Sequence, residues 1–261
     1  MGQQETYLDG NPVSRHTYDG LVYLPEPYDA LWAQAGSRYP FGYGTYATWL
    51  FSFKDLTWTQ LSDCPESHLG ISSAYDPVSG HVFLKSLYQM YEYIPSVSGA
   101  LNDSYVKHII NPDGWTINHD NTTATVIPSR RLMIFIGGHP FGGDVYVSHY
   151  GIFDLESKEY SVPDFTGDVE IVTGDAPGVA YDSKNDRIVA YMGGTAVYVL
   201  NLDTWKWTRV EAHTSSSEDP GDASPTGTYG RFQYIAEYDV FIVVNSVHSN
   251  VHFIRVPVII E

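Results

Sequence analysis

The sequence predicts an all-β fold built from five repeated four-stranded units. Three observations carry this: a strand–turn–strand pattern recurs every 51 to 55 residues, short alternating apolar runs are bounded by turn residues, and no segment sustains a helical period. The pattern reads YLPEPYDALWAQAG from Tyr23, YDPVSGHVFLKSL from Tyr75, VIPSRRLMIFIGG from Val126, YDSKNDRIVAYMGG from Tyr181 and YIAEYDVFIVVNS from Tyr234. The third residues, Pro25, Pro77, Pro128, Ser183 and Ala236, set the step. In YDPVSG and YDSKNDR the Asp, Asn, Gly and Pro residues are explained by the turn between two strands.

Each pair of strands is followed by a third: TWLFSF (Thr48 to Phe53), YQMYEYI, SHYGIFD, AVYVLNLD and NVHFIRV. Four units then add a fourth strand carrying an aromatic residue, LTWTQL, DGWTI, SKEYSV and WKWTRV, with Trp58, Trp115, Tyr160 and Trp207. The repeats run over about 12–62, 66–117, 119–163, 174–211 and 227–258 of a single domain spanning 1–261. Four antiparallel strands per unit of about fifty residues, repeated in this way, are the signature of a β-propeller. Two closures fit: a ring of five blades, with Glu5 to Leu8 supplying the missing outer strand of the last, or five blades of a six- or seven-bladed ring. An open ring exposes strand edges, which favours the first.

Hydrophobic residues make up 43% of the chain, and 21 Tyr and 6 Trp supply bulk for a sizeable core and lean toward strands. The net charge of −17 argues against nucleic acid and anionic membrane surfaces as partners, because both repel an acidic protein at long range. It weighs equally against an anionic polymer unless basic residues cluster locally. Cys64 is the only cysteine, so neither an intramolecular disulfide nor a CxxC motif is available. The start, MGQQETYLDG, lacks the apolar core of a leader, and no run reaches the length of a membrane span. GxSxG, HExxH, P-loop and EF-hand patterns are all missing.

In a four-stranded antiparallel blade, the start of the first strand and the loop between the second and third reach the same face. Nine residues before the turn position stand His16, His68 and His119 in three consecutive units, with Gly174 and Gly227 in the other two. Imidazole is a ligand for divalent transition metals and a base near neutral pH, so these three histidines form a candidate metal site. The same register is equally well explained by an inherited packing residue that hydrogen-bonds the next blade.

Arg15 and Tyr18 flank His16, and Tyr229 and Arg231 open the fifth inner strand. The loops after the second strands add Arg38, Tyr39, Phe41, Tyr43 and Tyr46 from SRYPFGYGTY, His139 and Phe141 from GGHPFGGD, and His248 from NSVHSN. Loop aromatics suit stacking on sugar rings or on a protein partner. The acidic segment EAHTSSSEDPGDASPT, from Glu211, is a candidate lid on the same face.

The glycine pairs Gly137-Gly138 and Gly193-Gly194, the third-strand aromatics followed by FD or LD, and Trp58, Trp115 and Trp207 resemble the kelch-like, or galactose-oxidase-like, group of propellers. Gly36 stands alone in the first unit, the second and fifth units lack the pair, and Tyr160 replaces Trp in the third. The resemblance extends over nearly the whole chain, most closely to bacterial kelch-like proteins of undefined activity. It implies a propeller in an extracellular or periplasmic setting, and it specifies fold rather than function. The copper chemistry of galactose oxidase does not carry over, since Cys64 matches no motif of that site.

Two functions follow. One is a binding module for a glycan or protein ligand, held by Arg38, Tyr39, Phe41, Tyr43, Tyr46, His139, Tyr229 and His248. The other, suggested by resemblance to propeller lyases, is a carbohydrate-active enzyme. There His16 or Tyr18 abstracts a proton and Arg15 or Arg231 neutralises a substrate carboxylate. A broad aromatic surface favours the first; a pocket with His16, Tyr18 and an Arg aimed at one point favours the second.

Overall fold

The computed structural model describes residues 4–86, 89–96, 103–109, 121–138, 150–211 and 218–258, which form two compact units, 1–120 and 121–261. The fold is all-β, of the β-propeller class, with five small sheets as blades.

The first unit contains β1 (Arg15–His16), β2 (Leu21–Leu24), β3 (Ala30–Ala33), β4 (Ser37–Arg38), β5 (Trp49–Ser52), β6 (Thr57–Gln60), β7 (Ser72–Asp76), β8 (His81–Lys85), β9 (Gln89–Ile94) and β10 (Ser104–Ile109). Two four-stranded antiparallel sheets result, in the orders β2-β3-β5-β6 and β7-β8-β9-β10, and β1 pairs separately with β4. The second unit contains β11 (Thr122–Ile127), β12 (Leu132–Gly137), β13 (Gly151–Asp154), β14 (Tyr160–Ser161), β15 (Thr166–Gly167), β16 (Gly178–Asp182), β17 (Arg187–Tyr191), β18 (Ala196–Asn201), β19 (Lys206–Glu211), β20 (Phe232–Ile235), β21 (Val240–Val243) and β22 (His252–Ile254). Its blades are β11-β12-β13-β14, then β16-β17-β18-β19 with β15 added in parallel beyond β19, then β20-β21-β22. Within each unit the first strands of successive blades lie side by side, β2 with β7 and β16 with both β11 and β20.

Period-two alternation packs these blades. In the fourth blade Val179, Ile188, Ala190, Tyr198 and Leu200 join a core with Ile127, Ile134 and Ile136 of the third. Their sequence neighbours Ala180, Val189, Tyr191, Val197 and Val199 join Phe232, Phe241 and Val243 of the fifth. Successive side chains of a strand point to opposite faces, so a blade flanked on both sides is buried on both, and Arg187–Tyr191 is buried throughout, apolar from Ile188 to Tyr191. In the first unit Val22, Leu24 and Trp32 pack on Val82, Leu84, Tyr91 and Tyr93 in the same manner. Cys64 is buried in that core, and burial pushes its thiol up to about 12.

The turns between first and second strands share one geometry. Asp29, Gly80, Arg131, Asp186 and Asp239 all have positive φ and recur with the same step as the repeats. An aspartate tolerates this conformation better than most residues, and here it is also held. Tyr23, Tyr181 and Tyr234 donate their hydroxyls to Asp29, Asp186 and Asp239 at 2.9, 2.6 and 2.8 Å.

One expectation changes. The fourth strand of the second blade is Ser104–Ile109, SYVKHI, and the expected DGWTI with Trp115 lies outside the described residues. Tyr105 takes the aromatic place, its ring 5.1 Å from that of Tyr93. Nine residues separate β9 from β10, against four or five between the third and fourth strands of the other four-stranded blades. The last blade has three strands among the described residues. Within the first unit the segment Glu5 to Leu8 folds back locally: Thr6 bridges Pro12, and the Val13 amide donates to the Glu5 carbonyl at 3.0 Å.

One buried charge ties the fourth blade to the chain beyond β22. Arg187 donates to Asp182 at 2.8 Å and to the carbonyls of Pro257 and Val256 at 2.7 and 2.9 Å, and Asp182 is fully buried. Replacing Arg187 by Ala strands the carboxylate but leaves its bonds to the Lys184 and Asn185 amides. The expected loss, at the lower end for a broken buried pair, is about 3 kcal/mol in urea unfolding. A loss within experimental error would show that the pair is not a source of stability.

Candidate functional site

The sequence-selected residues of the first unit meet where β1 pairs with β4. The register places Arg15 opposite Arg38 and His16 opposite Ser37. An open depression of about 430 Å³ lies there, lined by Ser14, Arg15, His16, Ser37, Arg38, Tyr39, Pro40 and Gly42. His16 is exposed, and its ring stacks on that of Tyr18, with 4.1 Å between centroids. Burial raises the Tyr18 phenol above its ordinary value, so the group holds its proton more firmly than a free tyrosine.

The aromatic loop is a hairpin. The Arg38 amide donates to the Tyr43 carbonyl at 3.0 Å and the Gly42 amide to the Arg38 carbonyl at 2.8 Å, which places Tyr39, Pro40, Phe41 and Gly42 at the tip. Tyr39 and Phe41 are 73% and 74% exposed, and Tyr43 and Tyr46 are each 52% exposed. Half or more of each of these residues thus faces solvent, although the rings of Phe41 and Tyr43 lie 6.3 Å apart on the loop.

What fixes this loop is partly legible and partly not. Glu5, which sequence reasoning passed over as a site residue, accepts from Arg38 at 2.6 Å through one oxygen and from Thr45 at 2.7 Å through the other. Arg38 also donates to the Gly44 carbonyl at 2.9 Å and is 5% exposed. Nothing in the sequence near Glu5 signals a partner 33 residues away. Gly36 has φ +107°, and a Cβ there would lie 2.9 Å from the His16 carbonyl and 3.1 Å from Cδ of Arg15, so the arginine stem rests on the glycine. That lone glycine is visible in the sequence; its contact with Arg15 is not.

His68 has a different part from His16. Its backbone forms an antiparallel bridge with Thr45, each amide 3.2 Å from the other's carbonyl oxygen, and its ring lies 5.7 Å from that of Tyr91. Gly44 crosses it so closely that a Cβ would approach the His68 carbonyl to 2.9 Å. His68 therefore holds the base of the aromatic loop through its main chain. Burial pushes its imidazole down to about 4, partly offset by Glu66, and its Nε2 is buried without a hydrogen-bond partner. His119 lies outside the described residues, among which no group of three His, Cys, Asp or Glu side chains is placed to hold a metal ion.

The other selected residues lie in the second unit. Tyr229 is 6% exposed, with its hydroxyl donating to Asn121 at 3.2 Å. Arg231 donates to the Gly227 carbonyl at 2.7 Å. His248 sits on an exposed turn, its amide donating to Ser246. His139 and Phe141 lie outside the described residues. The described part of the acidic segment is bonded to its neighbours: the Gly194 amide donates to Gly221 at 2.8 Å, and Asn245 donates to the Pro220 carbonyl at 2.9 Å. A depression of about 240 Å³ in the same unit, between Arg130 and Val258, is filled on one side by ion pairs of Arg130 with Asp186 and Asp203.

The class that fold and site define is thus a β-propeller with an open aromatic and basic surface on its first unit. No protein-family model matches the chain, and no curated protein matches it.

The buried imidazole of His68 sets an expected pH dependence. Above pH 6.5 neither state binds its proton; between 6.5 and about 4 only the unfolded chain does, so stability falls as the pH drops through that window. The slope from this group reaches at most about 1.4 kcal/mol per pH unit. A His68→Phe variant is expected to flatten the stability profile between pH 6.5 and roughly 5, where few carboxylates titrate, as followed by urea unfolding at a series of pH values. An unchanged slope would place the acid sensitivity elsewhere.

Proposed function

We propose that the protein is a ligand-binding propeller that recognises a glycan on the first unit, across the Tyr39–Phe41 hairpin and the depression beside it. The observation that carries this reading is the set of four aromatic side chains, Tyr39, Phe41 and Tyr43 on the hairpin and Tyr46 three residues beyond it, each at least half exposed. A large exposed aromatic surface beside an open depression offers flat faces for sugar rings with hydrogen-bonding groups at their edge. The propeller fold is compatible with ligand binding, and the openness of the surface fits binding better than it fits a closed reaction chamber.

Kinship with the kelch-like group belongs to the same proposal. Gly137, Gly138, Gly193 and Gly194 all have positive φ where the second strands of two blades end, which is a backbone reason for glycine at those places.

The stacked pair of His16 and Tyr18 beside Arg15 supports a second reading, a lyase-type enzyme with His16 as the base. The raised Tyr18 phenol is unfavourable for a second base there. The two readings separate in one experiment: a panel of immobilised oligosaccharides, probed with the purified chain, while ultraviolet absorbance follows the new double bond a lyase creates. Retention of a glycan without new absorbance is expected. Tyr39→Ala and Phe41→Ala should each weaken retention by about 10-fold, an effect near 1.4 kcal/mol, with little change in melting temperature because both side chains are exposed. A wild-type chain that retains no glycan, or a double variant that retains it fully, would overturn the binding reading.

A further inference from the structure

We infer that the Arg15 end of this depression takes an anionic group, so that the glycan is an acidic one bearing a carboxylate or a sulfate ester. The inference rests on the glycan reading above and adds the ligand's chemistry to it.

Arg15 is a guanidinium with too few partners. Its Nε and Nη1 reach the carbonyls of Val13 and Ala35 only at 3.4 Å each, and its Nη2 is buried with no hydrogen-bond partner. A buried donor on a charged group that finds no acceptor is costly, and such an atom in a native fold calls for an explanation. The carboxylate whose charge acts on Arg15 is Glu5, and both Glu5 oxygens are already taken, by Arg38 and by Thr45. Two guanidinium groups and one carboxylate leave the place positive in a chain whose net charge is −17. The register adds to this, because Arg15 and Arg38 stand directly opposite on β1 and β4, where like charges repel.

The place is built to hold Arg15 where it is. The stem of the side chain lies against Gly36, whose φ of +107° and contact with the His16 carbonyl leave little room for any Cβ. Arg38 is committed to Glu5 and the Gly44 carbonyl and contributes field rather than a free fork. Arg15, which lines the depression, therefore supplies the direct contact, since a guanidinium pairs with a carboxylate or a sulfate. Exposed His16 stands beside it on the lining and adds a further polar edge. The exposed rings of Tyr39 and Phe41 would hold the sugar ring that carries the charge.

The test compares binding of four probes to the full chain by calorimetry: a uronic acid oligosaccharide and its methyl ester, and a neutral oligosaccharide with and without a sulfate ester. Wild type is expected to bind at least one charged form about 10-fold or more tightly than its neutral counterpart, the scale of one hydrogen bond to a charged group. The arm that shows the preference identifies carboxylate or sulfate as the group. In Arg15→Gln the preference should shrink to within about 2-fold, whereas Tyr39→Ala should weaken charged and neutral forms alike. Equal affinity for charged and neutral forms in the wild type would overturn the inference and leave the glycan reading standing. Absence of binding to any of the oligosaccharides, here and in the wider panel, would overturn both. Should Arg15→Gln fail to fold, the wild-type comparison decides, and Arg15→Lys, which keeps the charge and loses the planar fork, is expected to retain only part of the preference.

Discussion

Face-to-face packing between neighbouring blades is the constraint from which the other features follow. Because side chains alternate along a strand, a blade with a neighbour on each side must supply two apolar faces at once. The fourth blade does so with adjacent residues, Ile188 and Ala190 on one side and Val189 and Tyr191 on the other. Such packing fixes the strands and leaves the ends of the blades to be written in other residues. The chain's variety is accordingly found in its turns and loops, and the first unit's aromatic hairpin is one of them.

The acidic character of the chain has a structural share. Asp76, Asp154 and Asp182 accept main-chain amides at the starts of their turns, and Asn201 does the same in place of an acid. Amide hydrogen bonds, first of all that from Ser157, hold the Asp154 carboxyl below its ordinary value; at Asp239 the bond from Lys184 does so. These carboxylates serve the hairpins. The large negative total therefore does not describe the depression of the first unit, where Arg15 and Arg38 outnumber Glu5. A repelled anionic ligand is the expectation from net charge; local placement of two arginines reverses it at short range, where screening leaves near charges dominant.

Register repeats in a sequence carry more than one meaning. His16 and His68 hold the same position in consecutive units, yet one is an exposed ring on a depression and the other a buried, neutral ring whose backbone anchors a loop. The position is inherited with the fold, whereas the use of the side chain depends on what the adjoining loop does. In the first unit that loop is long enough to return across His68 through Gly44 and Thr45.

Strand periodicity, turn chemistry and the fifty-residue step by themselves determined the all-β class, the five blades and most of their strands, because each depends only on residues near one another in the chain. The same local signals marked Arg15, His16, Tyr39 and Phe41 as a group worth noticing. Only the tertiary structure decided that SYVKHI pairs with β9 as the fourth strand of the second blade, since strand pairing is a contest between segments that local pattern does not judge. Only it brought Glu5 to Arg38 and set Arg15 on Gly36 with a donor left over. Hydrogen bonds between residues distant in sequence leave no periodic trace, and whether a charged group is satisfied is known only once every neighbour is in place.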